Sequence, residues 1–101
     1  MQVFEMTKPI YMTLSISYEL SEEHVQLILQ YIKRNYEHMT DYLQIFEFYV
    51  EDDEQWLIQK QEEPIQETRI LIKLKESEPI DSKVWVMDQE DHVIIMFPED
   101  Y

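Results

Sequence analysis

The sequence predicts an α+β fold, an antiparallel sheet of about five to six strands with one amphipathic helix packed on one face. Two patterns predict it: one segment repeats its apolar residues at helical spacing, and the chain after it alternates β-branched and aromatic runs with turns. The 101 residues are 45% apolar and 13% aromatic, which is enough for a packed core and too apolar for a disordered chain. We therefore expect one small acidic α+β domain over residues 1–101.

The first predicted element is a strand in the segment that follows Pro9. Apolar and more polar residues alternate there with a period of two, which is typical of a half-buried strand. The sequence predicts this strand over residues 11–18. The apolar side of the alternation comprises Met12, Leu14, Ile16 and Tyr18.

The second element is the helix. Ser21 is a suitable N-cap, and two glutamates follow it where the helix dipole favours acids. Apolar residues then recur at positions 25, 28, 29, 32, 36 and 39, which is helical spacing. The helix is expected to end between Asn35 and Thr40.

Strands account for the rest of the chain. The segments DYLQIFEFYV and QWLIQKQEE flank the acidic turn at residues 51–54, and KVWVM and HVIIMF flank DQED. Each pair predicts a hairpin. Between Pro64 and Pro79, the segment ETRILIKLK predicts a further strand, bounded by a proline on each side.

The chain contains no glycine, which excludes the phosphate loop, the dinucleotide fingerprint and the nucleophile elbow. Turns that need a positive φ must then be made by asparagine or aspartate, the residues that tolerate it best after glycine. Because Asn35 is the single asparagine, aspartate is expected to occupy most of these turns.

The charge balance is strongly acidic. Asp and Glu number 22 against 8 Lys and Arg, for a formal net charge of -14 and a pI near 4.3. This charge disfavours direct binding to nucleic acid or to anionic membranes, which need clustered Lys and Arg. It favours a basic protein as partner, since electrostatic steering accelerates such an encounter.

Cysteine is absent, which excludes disulfides, thiolate metal sites and thiol catalysis. The N-terminal residues lack the basic and apolar regions of a signal peptide. The longest aliphatic or aromatic run covers residues 93–97, far below the roughly 18 residues that span a bilayer. We expect a cytoplasmic protein.

No catalytic, cofactor-binding or metal-binding residue is assigned. His24, His38 and His92 are far apart in sequence and lack zinc-binding spacing, so surface or capping roles are expected for them. The acidic turn at residues 51–54 lacks the alternating oxygen ligands and the glycine of an EF-hand. A loose divalent-cation site at residues 88–92 stays a third hypothesis. Without a recognisable nucleophile and base, we expect no enzyme and no cofactor.

Two long stretches, residues 35–59 and the chain after Lys83, carry acids and no Lys or Arg. Carboxylates on hairpin tips can imitate the phosphates of DNA and occupy a basic groove. Trp56, Tyr49 and Phe48, beside the acidic turn, are candidate apolar anchors, since Trp and Tyr are enriched at binding hot spots. A core position is the alternative for these rings. The candidate partner-binding residues are Glu47, Glu51, Asp52, Asp53, Glu54, Trp56, Asp88, Glu90 and Asp91.

One basic stripe, formed by Arg69, Lys73 and Lys75, interrupts the acidic chain. In a protein of this charge, these side chains are expected to pair with acids on a neighbouring strand. Phosphate binding is the alternative.

Three phrases occur together: DYLQIFEF at 41–48, QKQEEP at 59–64 and KVWVMDQEDHVIIMFPEDY at 83–101. Their order and spacing resemble domain of unknown function 960, a family of small proteins from staphylococci and related Gram-positive bacteria. The resemblance implies occurrence in phages and other mobile elements, and it assigns no chemistry. Mobile elements carry small acidic proteins that block DNA-handling enzymes by imitating DNA.

The leading hypothesis is thus a non-enzymatic interaction protein that mimics DNA and inhibits a DNA-binding protein, for example a DNA-handling enzyme. The alternative is a structural or adaptor module that forms a homodimer through a strand edge or an aromatic face. Salt separates the two hypotheses, because binding by mimicry should weaken steeply as ionic strength rises.

Overall fold

The computed structural model describes residues 4–5 and 7–101. Six strands and two α-helices lie in this part of the chain, with a single turn of 3-10 helix at Tyr36–His38 and another at Pro98–Asp100. In chain order the elements are β1 (Ile10–Met12), α1 (Leu14–Glu19), α2 (Glu22–Asn35), β2 (Leu43–Glu51), β3 (Glu54–Gln61), β4 (Gln66–Ile72), β5 (Ser82–Gln89) and β6 (His92–Met96).

The six strands form one sheet in the order β1-β6-β5-β2-β3-β4. Strands β2 to β6 pair antiparallel to one another, as the sequence predicts. The short β1 pairs parallel to β6, so the sheet is mixed. The predicted α+β fold with about six strands and one main helix is confirmed. Strand β4 is at one edge of the sheet, β1 at the other.

The predicted strand over residues 11–18 is wrong beyond Met12. The Thr13 hydroxyl accepts a hydrogen bond from the backbone N–H of Ile16 at 3.3 Å, and this cap begins α1. Ile16 and Leu20 are buried and lie four residues apart, which is the helical repeat. The other apolar side chains of α1 face solvent, and their positions produced the misleading alternation.

Helix α2 follows its sequence signals. The Ser21 hydroxyl accepts a hydrogen bond from the backbone N–H of His24 at 3.1 Å, so the predicted N-cap is confirmed. The helix ends at Asn35, inside the predicted range. One of its faces packs on the sheet and contributes Val25, Ile28 and Ile32 to the core.

Of the surface or capping roles expected for His24, the surface position is wrong, because its side chain is fully buried. Its Nδ1 lies 2.6 Å from the Ser21 hydroxyl, and its Nε2 lies 2.9 Å from Oε1 of Gln55 on β3. The ring also packs edge-on against Phe48, with 5.0 Å between ring centroids. His24 therefore joins the start of α2 to the middle of the sheet.

The sheet has two unlike faces. The face toward α2 holds the main core, which includes Phe46, Leu57, Val84 and Ile95. We call the opposite side the open face. The register places on it the residues of β2 and β3 that alternate with the core residues, such as Ile45, Glu47, Tyr49 and Trp56.

The two hairpin turns lie at opposite ends of the sheet. In the first hairpin Glu51 pairs with Glu54, so the turn itself is two residues long, shorter than the predicted four. Because β2 and β5 are antiparallel, this turn lies beside the start of β5, and the second turn, at residues 90–91, lies beyond the start of β2. A nine-residue strand such as β2 spans about 30 Å.

Aspartate makes the first turn, as expected for a chain without glycine. Asp52 and Asp53 have φ angles of 53° and 61°. Two consecutive residues with positive φ are the geometry of a type I′ turn, whose twist matches that of the flanking strands. In the second turn the residue with positive φ is Glu90, at 42°, which the sequence does not predict.

Candidate partner-binding surface at the acidic end

The first hairpin turn does not stand alone at its end of the sheet. The loop between β4 and β5 passes beside it, where Oδ1 of Asp81 accepts a hydrogen bond from the backbone N–H of Val50 at 3.3 Å. Asp53 and Glu54 also share a surface groove with Ser77 and Pro79 of the same loop. The hairpin tip and this loop therefore form one surface.

The start of α2 is fastened to the same loop by Glu23. Its carboxylate accepts three backbone N–H groups, from Lys75 at 2.6 Å, Glu76 at 3.1 Å and Ser77 at 2.7 Å. The hydroxyls of Ser77 and Ser21 lie 2.9 Å apart. These hydrogen bonds, first of all the one from Lys75, lower the pKa of Glu23 to about 2.

We define the acidic end as the surface formed by the hairpin tip, the β4–β5 loop and the first turn of α2, together with Arg69 of β4, which pairs with Glu51 of the tip. Nine acids and three bases lie there, and most of the acids are exposed. The acids are Glu22, Glu23, Glu51, Asp52, Asp53, Glu54, Glu76, Glu78 and Asp81, and the bases are Arg69, Lys73 and Lys75. The acidic end thus carries nine acids against three bases, an excess of six negative charges.

Two of the tip carboxylates are paired. Glu51 lies 2.6 Å from Nη2 of Arg69, and Glu54 lies 3.5 Å from Nζ of Lys73. The predicted pairing with an acid on a neighbouring strand is confirmed for Lys73, whereas Arg69 pairs with an acid two strands away, on β2. Within the described residues, the side chains of Asp52 and Asp53 form no ion pair. These two aspartates project from the turn into solvent.

The aromatic residues beside the tip are divided between the two faces of the sheet. Phe48 is in the core and cannot serve as an anchor. Trp56 and Tyr49 are half-buried on the open face, with nearly parallel rings whose centroids lie 6.5 Å apart. The guanidinium of Arg69 lies over Trp56, 4.3 Å from the ring centroid, and donates a hydrogen bond to the Tyr49 hydroxyl. Arg69 thus covers part of the indole that the sequence nominates as an anchor.

Glu47 is neutralised on the open face. One oxygen of its carboxylate lies 2.7 Å from Nζ of Lys60 and 3.7 Å from Nζ of Lys83. The hydrogen bond from Lys60 is the main cause that lowers the pKa of Glu47, against the effect of partial burial. With two lysines around it, Glu47 does not add to the acidic end.

The structure places Asp88, Glu90 and Asp91 at the end of the sheet opposite the hairpin tip. The Asp88 side chain is 11% exposed and lies 2.8 Å from Nζ of Lys8, so it is held inside the surface. Asp91 lies 2.7 Å from Nδ1 of His92, and this contact lowers its pKa. The nine predicted residues therefore do not form one site.

The acidic end also contains five acids that the sequence does not nominate, namely Glu22, Glu23, Glu76, Glu78 and Asp81. They belong to two segments that are far from the hairpin tip in sequence. The available signal was weak: Pro79 marks a turn, and acids flank it on both sides. Nothing in the sequence places that turn beside the first hairpin.

The described residues offer neither a metal site nor a membrane-spanning helix. Among the residues that the structure describes, no three His, Asp or Glu side chains are grouped so that they could hold a metal ion. In the same part of the chain, no helix is both long and apolar enough to cross a membrane.

Comparison with known proteins gives a family. The family model described as staphylococcal protein of unknown function (DUF960) matches residues 10–100. The chain belongs to this family. The crystal structure of a protein of unknown function from Enterococcus faecalis superposes with a TM-score of 0.86 at 17% identity, and the match covers 100% of this chain and 97% of that one. At this identity the likeness shows the fold alone. No curated protein matches the chain.

Proposed function

We propose that this DUF960 protein is a non-enzymatic interaction protein whose acidic end mimics DNA and occupies the DNA-binding surface of a basic protein. The observation that carries the proposal is the excess of carboxylates at one end of the sheet, where three separate segments of the chain converge. The partner would be a DNA-handling protein, and occupation of its DNA site would inhibit it.

The segments that carry the carboxylates of the acidic end are held in place by a tight turn and by hydrogen bonds. A two-residue turn fixes Asp52 and Asp53, and the three hydrogen bonds to Glu23 fix the loop that carries Glu76 and Glu78. A surface that is ordered before binding loses less conformational entropy when it binds. DNA is likewise a stiff array of negative charges, with one charge per about 1.7 Å of duplex.

The likeness to DNA also explains why a DNA-binding protein would bind the acidic end. A basic groove that binds DNA gains free energy because counterions leave the DNA backbone. The acidic end offers the groove fixed carboxylates in place of phosphates and so competes for the same lysines and arginines. Aspartate and glutamate side chains do not present the hydrogen-bonding edges of nucleotide bases. The partner would therefore recognise the acidic end by its charge and shape.

The test is a pull-down of interacting proteins from a staphylococcal lysate with the immobilised full chain. Bound proteins are eluted with duplex DNA or with an uncharged polymer at the same ionic strength. The proposal predicts that duplex DNA specifically releases a DNA-handling protein. Partners that both eluents release equally, or that neither releases, would contradict it.

Two matched variants locate the binding surface. The tip variant carries Asp52→Asn, Asp53→Asn, Glu76→Gln and Glu78→Gln, and the far-end variant carries Glu37→Gln, Glu62→Gln, Glu63→Gln and Glu90→Gln. Each removes four negative charges, and asparagine keeps the positive φ of the turn. Retention of the DNA-released partner should be lost with the tip variant and kept with the far-end variant. Equal loss with both would mean that net charge alone causes the binding.

A further inference from the structure

The β4 edge of the sheet has features of a second interaction surface, which borders the acidic end at Lys73. Strand β4 is the terminal strand, and residues 66–69 are exposed along it. An edge strand presents unpaired backbone N–H and C=O groups that another strand can pair with. The pairing pattern of the sheet identifies which residues present these groups.

The pattern starts at the first hairpin. Residues that flank a two-residue turn form a hydrogen-bonded pair, and such pairs alternate along antiparallel strands. Hydrogen-bonded pairing of Glu51 with Glu54 therefore directs residues 55, 57, 59 and 61 of β3 toward β4. Their partners on β4 are residues 72, 70, 68 and 66. Residues 67, 69 and 71 of β4 consequently direct their N–H and C=O groups outward.

An apolar groove runs along this edge on the side of α2. It has a volume of about 360 Å³, and its lining includes Leu27, Tyr31, Leu57, Ile70 and Ile72. The isoleucines are half-buried, since the helix does not fully cover the edge strand. A neighbouring strand that paired with β4 would extend the sheet and bring its own side chains to this groove.

We infer that β4 pairs antiparallel with β4 of a second copy of the chain, about a two-fold axis at Ile70. In such a two-fold pair, two residues that lie opposite each other must have their side chains on the same side of the sheet. An axis at Arg69 would oppose two arginines, which is unfavourable. An axis at Ile70 opposes Thr68 to Ile72 and Arg69 to Leu71, and just beyond them it opposes Glu67 to Lys73.

Charge complementarity supports this register. Each of the two copies contributes one Glu67 and one Lys73, so two opposite-charge pairs form at the ends of the joined strands. Ile70 meets its symmetry mate between the two grooves, where apolar area is available for burial. Because the strands run antiparallel, the acidic end of one copy lies beside the far end of the other. The two most negative surfaces therefore point apart.

Sedimentation velocity of the full chain over a range of concentrations provides the first test. A reversible dimer is expected. Lys73→Glu and Glu67→Lys should each raise its dissociation constant about tenfold, and the double variant should restore it. The two substitutions change the net charge in opposite directions, so a general charge effect would strengthen one dimer and weaken the other.

Disulfide trapping reports the register, since the chain has no cysteine of its own. At the axis, the Cα atoms of the facing residues would lie about 4.5–5.5 Å apart, within the range of a disulfide. Ile70→Cys should therefore form a covalent dimer in mild oxidant faster than Thr68→Cys or the exposed control Gln26→Cys. A monomer at all concentrations, with Ile70→Cys no faster than the control, would overturn the inference.

Discussion

Gln55 accepts a hydrogen bond from Nε2 of His24 at 2.9 Å and another from the backbone N–H of Ile80 at 2.8 Å, both on its Oε1. Its amide nitrogen donates to the carbonyls of Tyr49 and Trp56 at 2.9 and 3.1 Å. Since Oε1 only accepts, His24 carries its proton on Nε2, and Nδ1 accepts from the Ser21 hydroxyl. One buried glutamine thus joins α2, the β4–β5 loop and the hairpin that carries the acidic tip.

Gln55→Leu should be strongly destabilising. It removes the acceptor of two buried donors, on His24 and Ile80, and each unsatisfied donor costs about 1–3 kcal/mol. We expect the free energy of unfolding to fall by about 3 kcal/mol in urea denaturation. Gln26→Leu, on the exposed side of α2, is the control and should change it by less than about 0.5 kcal/mol. A Gln55→Leu variant as stable as the control would refute the role of this network.

Glu23 predicts a pH dependence of stability. The folded-state pKa of Glu23, about 2, lies below the ordinary value of 4.5. Its carboxylate therefore stabilises the folded state above pH 4.5, and this stabilisation is lost as the pH falls toward 2. The wild type should therefore be more stable than Glu23→Gln at neutral pH, and the difference should shrink over this window. Thermal unfolding between neutral and acidic pH measures it.

The control for Glu23 is its neighbour in the first turn of α2. Glu22→Gln removes an equal charge near the helix N-terminus and leaves the hydrogen bonds between Glu23 and the β4–β5 loop intact. The difference from the wild type should then vary less with pH than it does for Glu23→Gln. If stability depended on pH identically in the two variants, the helix dipole, and not the hydrogen bonds from the loop to Glu23, would account for the pH dependence.

The type I′ turn predicts a stabilising substitution. Asp53 has a φ of 61°, a region that costs most residues roughly 1–2 kcal/mol and costs glycine little. Asp53→Gly should raise the free energy of unfolding by up to about 1 kcal/mol. Asp53→Asn removes the same charge and keeps the side chain, so it isolates the backbone effect. Glycine no better than asparagine would contradict the assignment of strain to this residue.

Binding to the partner should depend on ionic strength. An interaction between exposed carboxylates and a basic groove is screened within a Debye length, about 10 Å at 0.1 M salt. We expect the dissociation constant to rise steeply between low and physiological salt, and to rise less for the tip variant because fewer charges remain. Isothermal calorimetry at several salt concentrations measures this slope. An affinity that does not change with salt would contradict recognition by charge.

Local signals in the sequence were sufficient for most of the fold. The α2 cap at Ser21 and both hairpins depend on residues that are adjacent or a few positions apart, so periodicity and turn chemistry reveal them. The segment after Met12 failed because exposed Leu14 and Tyr18 imitate a strand alternation. The Thr13 hydroxyl forms an N-cap at this point, and the segment is a helix.

The site depended on tertiary contacts that no local pattern contains. Base-free stretches marked the hairpin tip but gave no sign that Glu23 would bind the loop at residues 75–77. They also grouped Asp88 with the tip, although a lysine from the start of the chain pairs with it. Charge counted along the sequence therefore overstates the charge that is free at one place on the surface.

The most direct test of the proposed mimicry is a displacement measurement with the purified partner that duplex DNA releases in the pull-down. The fluorescence anisotropy of a labelled duplex bound to this partner is followed as the wild type, the tip variant or the far-end variant is added. The proposal predicts that the wild type and the far-end variant displace the duplex at similar concentrations and that the tip variant fails to do so. Displacement by the tip variant at the wild-type concentration, or none by the wild type, would contradict it.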